Sequence, residues 1–270
     1  MKLSDHIAFT KYVILPRRYG LYRALFLCLW LVTMRSEARN LQKPSHLLAL
    51  SGKLLLAVKT EQETKGLEIT LADLPQTSIL AELEDDTAKK VFWINIYNAY
   101  FQLLASREKL SNPTIFTSKS IYIAGVPLSL DDIEHGILRK YRVKWAKGYL
   151  PKWFVGKPIK KWAVERVDYR IHFALNCGAA SCPPIAYYTA DKLEEQLNLA
   201  MKNFLLSETT IVEKEKKVVT NKILYWYQGD FSGRKGILDI ISKVMEQDLR
   251  GYSLDYAAYD WSQKLQNFSQ

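Results

Sequence analysis

Residues Val91 to Ser106 read VFWINIYNAYFQLLAS, a run without a single charged side chain. On a helical wheel Phe92, Ile96, Ala99 and Leu103 share one face, and Trp93, Tyr97 and Tyr100 cover another. Asn95, Asn98 and Gln102 form a third stripe. A helix that is apolar nearly all round belongs inside a protein, so this segment predicts a central buried helix. Buried amides need partners, and the Asn95/Asn98/Gln102 stripe must therefore meet polar groups, water or a ligand.

Outward from that helix the pattern is mostly helical. Pro44 and Ser45 open a predicted helix over Leu47 to Lys59. Ser118 to Leu128 reads as a short hairpin turning at Ala124-Gly125. Ser129 followed by Asp132 is a capping-box-like start for a helix from Leu130 to about Tyr141. Leu130, Ile133, Ile137, Leu138 and Tyr141 make its apolar face, Glu134 falls in the middle of it, and His135 is expected to point elsewhere. A carboxylate on a buried face must be paired, hydrogen-bonded or protonated. Further on, Thr189 is placed to cap a helix through Phe204, and Thr210 to Thr220 reads as a hairpin. Helical pieces follow at Lys222 to Tyr227 and Gly236 to Leu249. The aromatic tail Tyr256 to Trp261 is expected to pack back on the body. The fold class that results is α+β, a mainly helical single domain with a small β-sheet and hairpins.

The densest chemistry lies at Arg170 to Pro184, RIHFALNCGAASCPP, with one of four histidines and two of three cysteines. Tyr169, Ile171, Phe173 and Leu175 alternate with Arg170, His172, Ala174 and Asn176, a period of two that predicts a strand. Cys177 then stands at the strand end, before Gly178, Ala179, Ala180 and Ser181. A thiol there, followed by small residues whose N–H groups can turn toward a ligand, is a candidate reactive site.

Three cysteines cannot form a disulfide framework. Cys28 lies in the apolar run Ala24 to Met34, about half the length a membrane-spanning helix needs. Basic residues precede that run and Ser36-Glu37-Ala38 follows it, the order of a secretory signal cleaved after Ala38. Residues 1–38 are therefore expected to be a signal peptide or N-terminal membrane anchor. The protein is expected to be exported (periplasmic or extracellular) or membrane-anchored, with a cytoplasmic protein carrying a buried helix as the alternative. The formal net charge of +10 favours anionic partners. Arg139 to Arg166 concentrates ten Lys or Arg against one acid, Glu165, interleaved with aromatics. An anionic surface or polymer ranks above nucleic acid for this stretch, and a merely solvated basic face above both. Membrane contact through the N-terminal apolar segment is a separate expectation. No phosphate-binding glycine loop, dinucleotide fingerprint, paired-histidine metalloprotease helix or serine-hydrolase elbow occurs, and no cofactor is expected.

Three segments, FWINIYNAY (Phe92 to Tyr100), SLDDIEHGILR (Ser129 to Arg139) and RIHFALNCGAASCPP, resemble the DUF547 family. The match weakens through YTADKLEEQLNLAMKNFL (Tyr188 to Leu205) and the late WYQGDF and YDW. In order, they cover roughly residues 45 to 262. The resemblance implies one DUF547-like domain over 39–270 and carries over Asn95, Asn98, Glu134, His172, Asn176, Cys177 and Cys182 as motif residues. It implies little chemistry, because the family was named for having no assigned activity.

Several readings of the cluster compete. In the first, a cysteine-dependent hydrolase or acyltransferase acts on a small molecule or peptide. Cys177 is the nucleophile and His172 its base, Glu134 or Asn98 orients the imidazole, and N–H groups around Gly178 and Ala179 form an oxyanion hole. Asn95, Asn176 and Gly178 would contact substrate. In the second, His172, Cys177 and Cys182, with Glu134 or His135, ligate zinc, although the spacing matches no common zinc pattern; no metal is expected. In the third, Cys177 and Cys182 close a small disulfide loop, which removes the nucleophile. The rival to all of them is a non-catalytic interaction or scaffold domain with a structural Cys/His/Asn/Glu network.

Overall fold

The computed structural model describes residues 45–269, so the expectations for the N-terminal signal or anchor, for Cys28 and for the role of Pro44 lie outside the described residues. The charge-free run forms the centre of helix α4. The elements before it are α1 (His46–Lys59), α2 (Lys65–Ala72) and α3 (Gln76–Glu82), and α4 itself spans Asp86–Ser106. Ser45 caps α1 by accepting from the Leu48 N–H, and Asp85 caps α4 by accepting from Ala88 at 2.8 Å. From Lys89 to Ala105 every residue of α4 is buried. Among the described residues no helix is long and apolar enough to cross a membrane.

A short helix α5 (Thr114–Thr117) leads into the expected hairpin, β1 (Ile121–Ile123) and β2 (Val126–Leu128), in antiparallel register with Ile121 opposite Leu128. Ala124 and Gly125 make the turn, both with positive φ. A second sheet has the order β3-β4-β5: β3 (Thr210–Val212) runs antiparallel to β4 (Lys217–Thr220), which pairs in parallel with β5 (Ser253–Tyr256). Helices α6 (Lys157–Trp162), α7 (Leu193–Glu208), α8 (Ile223–Trp226) and α9 (Gly233–Met245) complete the fold, which is mainly helical α+β. One apolar core surrounds α4, with Trp93, Leu54 and Ile133 buried in it. A second gathers Phe173, Phe204, Val218, Phe231 and Ile241 between α7, α9 and the β3-β4-β5 sheet.

Two expected elements take a different form. Tyr169–Phe173 is a 3₁₀ helix, not a strand. The period of two was real but had no sheet to join. Asp168 instead caps the segment by accepting from the Arg170 N–H at 3.1 Å, while Lys90 of α4 holds Asp168 at 2.8 Å. Asn98 of α4 takes the Ala174 carbonyl at 2.9 Å, so both ends of the turn are fastened to the central helix. The second change is at Asp132–Leu138, a π-helix rather than an α-helix. Its start is the expected capping box: Asp132 accepts from the Ser129 N–H at 2.8 Å, and its own N–H donates to Ser129 Oγ at 3.1 Å. The wider winding closes through Arg139 N–H donating to Glu134 O and Tyr141 N–H to Gly136 O, each at 2.8 Å.

Candidate active site

The π-helix, the 3₁₀ turn and the Tyr227–Asp230 loop converge on one buried charge cluster. Arg139, fully buried, donates from Nε to Asp230 Oδ2 at 2.6 Å and stands 2.7 Å from His135 Nδ1 through Nη1. His172 Nε2 meets the same Asp230 oxygen at 2.8 Å. Tyr227 lies flat on His172, ring centroids 3.8 Å apart, and beneath the Arg139 guanidinium at 4.6 Å. Glu134 accepts from the Tyr97 hydroxyl at 3.3 Å and lies 3.7 Å from His135 Nδ1. Gly148, with φ of +88°, lets the chain pass close over the pair; a Cβ there would fall 2.3 Å from Asp230 Oδ1.

Burial pushes both imidazoles below the ordinary histidine value, against the pull of Asp230 on His172 and of Glu134 on His135. Burial also works to raise the Asp230 and Glu134 carboxyls, but the surrounding donors and cations outweigh it and hold both below the ordinary range. The hydrogen bond from His172 holds Asp230 down ahead of Arg139, and His135, Arg139 and the Tyr227 hydroxyl act on Glu134. With the imidazoles neutral at neutral pH, Arg139 is the permanent cation among them. One negative charge is left over, and a proton arriving on His172 or His135 would balance it.

Over this cluster lies a cleft of about 470 Å³. Its lining includes Glu134, His135, His172, Tyr227, Cys177 and Cys182, together with Trp226, Tyr259, Trp261, Trp145, Lys144 and Lys147. Cys177 and Cys182 are joined by a disulfide. In this state neither sulfur is a thiolate free to attack or to ligate zinc, and the bond itself is the one the third reading describes. Cys177 is half-buried and Cys182 buried. The Tyr259 hydroxyl lies 3.1 Å from the Cys177 sulfur and 3.0 Å from that of Cys182. Among the described residues no group of three or more His, Cys, Asp or Glu is arranged to hold a metal ion.

The structure therefore brings Glu134, His172 and Cys177 to one cleft and leaves the amides out of it. Asn98 donates to Ala174 O and accepts from the Asn176 N–H at 3.0 Å, so its side chain is committed to backbone and does not orient an imidazole. Asn95 clamps Tyr188 in the same way, through its carbonyl oxygen at 3.0 Å and its N–H at 3.2 Å. Asn176 donates to Pro183 O at 2.7 Å and accepts from the Gly178 N–H at 2.8 Å. That last bond withdraws Gly178 from the expected oxyanion hole. Gly178 is needed for packing: its φ is +72° and a Cβ would lie 2.5 Å from the Phe101 ring. None of these four lines the cleft.

Sequence reasoning turned His135 away from the site except as an alternative zinc ligand, and gave no role to Arg139, Tyr227, Asp230 or Tyr259. The signal for the last three was on the page: WYQGDF contains Tyr227 and Asp230, and YDW contains Tyr259.

The family model described as "Protein of unknown function, DUF547" matches residues 80–205. The span takes in α4, the π-helix, the 3₁₀ turn and the disulfide loop, and ends before Tyr227, Asp230 and Tyr259. No curated protein and no solved structure matches the chain. Over residues 80–205 the chain is thus similar to the DUF547 family, whose description assigns it no function.

Proposed function

We propose that the cleft is the active site of a cysteine-dependent hydrolase or acyltransferase whose nucleophile, Cys177, is masked by the bond to Cys182. The observation that carries this reading is the His172–Asp230 pair, whose imidazole lines the cleft that also holds Cys177. Asp230, rather than Glu134 or Asn98, is the group that orients the imidazole. With Nε2 engaged by Asp230, Nδ1 is the nitrogen left to accept a proton. A dithiol reductant first exchanges with the disulfide; it is oxidised, and two electrons and two protons leave Cys177 and Cys182 as thiols. Cys177 then attacks an acyl carbonyl while its proton passes to His172, where the excess negative charge of the cluster accommodates it. The Tyr259 hydroxyl, within 3.1 Å of the attacking sulfur, serves as the donor to the oxyanion. His172 returns the proton to the leaving group, and water or a second acceptor releases the acyl group from Cys177.

A binding module without chemistry is the second reading, and the intact disulfide favours it. It also supports an oxidising, extracytoplasmic compartment. Incubating the reduced full chain with p-nitrophenyl acetate, then mapping acetyl groups by mass spectrometry, separates the two. The hydrolase reading expects rapid acetylation of Cys177, absent from the oxidised protein and strongly slowed in His172→Gln. Acetylation of Cys177 no faster than that of a free thiol would favour the binding module.

A further inference from the structure

The segment from Tyr141 to Trp162 carries an exposed apolar pair that the cleft does not use. Its first part is a loop closed by Val143 N–H to Leu150 O at 2.8 Å and by Lys152 N–H to Tyr141 O at 2.6 Å. Just after this tie, between Lys152 and the next helix, stand Trp153 and Phe154, 91% and 94% exposed, the highest values among the large apolar side chains of the described residues. Helix α6 then begins, and it is anchored: Trp162 is buried against Trp93, and the Val164 N–H donates to Ile137 O at 3.2 Å. The pair is thus held between a tied loop and an anchored helix and contributes almost no burial of its own. Lys152, Lys157, Lys160 and Lys161 are all exposed around it, and no acid occurs from Leu150 to Lys161.

We propose that Trp153 and Phe154 insert into the interfacial layer of an anionic lipid bilayer while these four lysines meet the headgroup phosphates. Two adjacent aromatics free on nearly all sides gain most from a medium that surrounds them, as the membrane interface does. A stacking platform for bases offers one ring face and rests the other on the protein. The ring of like charge selects the sign of the surface, and the net charge of +10 reinforces it at longer range.

Flotation of the full chain with vesicles of phosphatidylcholine, alone or mixed with phosphatidylglycerol, tests the proposal. Binding is expected only to the mixed vesicles, weakening as salt rises. The Trp153→Ala/Phe154→Ala protein should bind about tenfold or more weakly, with an unchanged circular dichroism spectrum. Lys152→Glu/Lys160→Glu supplies a second route to the same loss, and Leu206→Ala, an exposed apolar change elsewhere, should have no effect. The proposal is overturned if the mixed vesicles are not bound, or are bound equally well by both double variants. It is also overturned if the aromatic pair is required instead for binding a single-stranded polynucleotide. None of these outcomes bears on Cys177.

Discussion

At Arg139 a guanidinium with no access to solvent holds Asp230, touches His135 and covers Tyr227. Removing charge from such a cluster leaves its partners buried and unpaired, the costly outcome for any buried ion pair. The two imidazoles are kept neutral by burial, and this has a consequence for stability. In the unfolded chain His135 and His172 take up protons near the ordinary histidine value of about 6.5; in the folded chain they do so only at lower pH. Between those values the unfolded state binds more protons, so stability falls as pH is lowered. Urea unfolding should therefore give a smaller free energy at pH 5 than at pH 7. A value that is flat or rises on acidification would mean that the imidazoles are protonated in the native cluster.

At the scale of elements, α4 acts as a rack on which the later chain is hung. Its polar stripe was legible from spacing alone, as was its need for partners. What spacing did not reveal is that the partners are backbone groups at residues 174, 176 and 188, more than seventy positions away. Truncating Asn98 to Ala strands a buried carbonyl and a buried N–H, and is expected to cost about 2–3 kcal/mol. Denaturant unfolding checks this; a loss below half a kcal/mol would mean that the Ala174–Asn176 turn is held by other contacts. The π-helix shows a different limit of legibility. Ser129, Asp132 and the burial of Glu134 were readable, yet an α-helical wheel turned His135 away from the site. Asp131, His135 and Arg139, spaced four apart, nonetheless meet along one side of this helix, inside the site. Likewise Tyr169–Phe173 alternates as a strand does, and only its ties to Lys90 and Asn98 make it a turn.

For the whole molecule, the two hairpins, the helices α1, α4, α7, α8 and α9 and the tail packing on the body followed from periodicity and turn residues. Thr189, however, does not cap α7, which starts after Lys192, and α2, α3 and α6 had no such expectation. The closing of the cleft by Tyr227, Asp230 and Tyr259 did not, because short aromatic motifs late in the chain carry no spacing that reports what they meet. The disulfide closes so small a loop that its loss should cost roughly 2 kcal/mol, modest beside two apolar cores. A reduced, folded protein is thus accessible, and on it the central claim is most directly tested. The pH dependence of Cys177 alkylation by iodoacetamide should have its midpoint below about 8.5, the value of an unperturbed thiol, and should move upward in His172→Gln. A midpoint at or above that of a free thiol, unmoved by the substitution, would mean that His172 and Asp230 do not serve this sulfur.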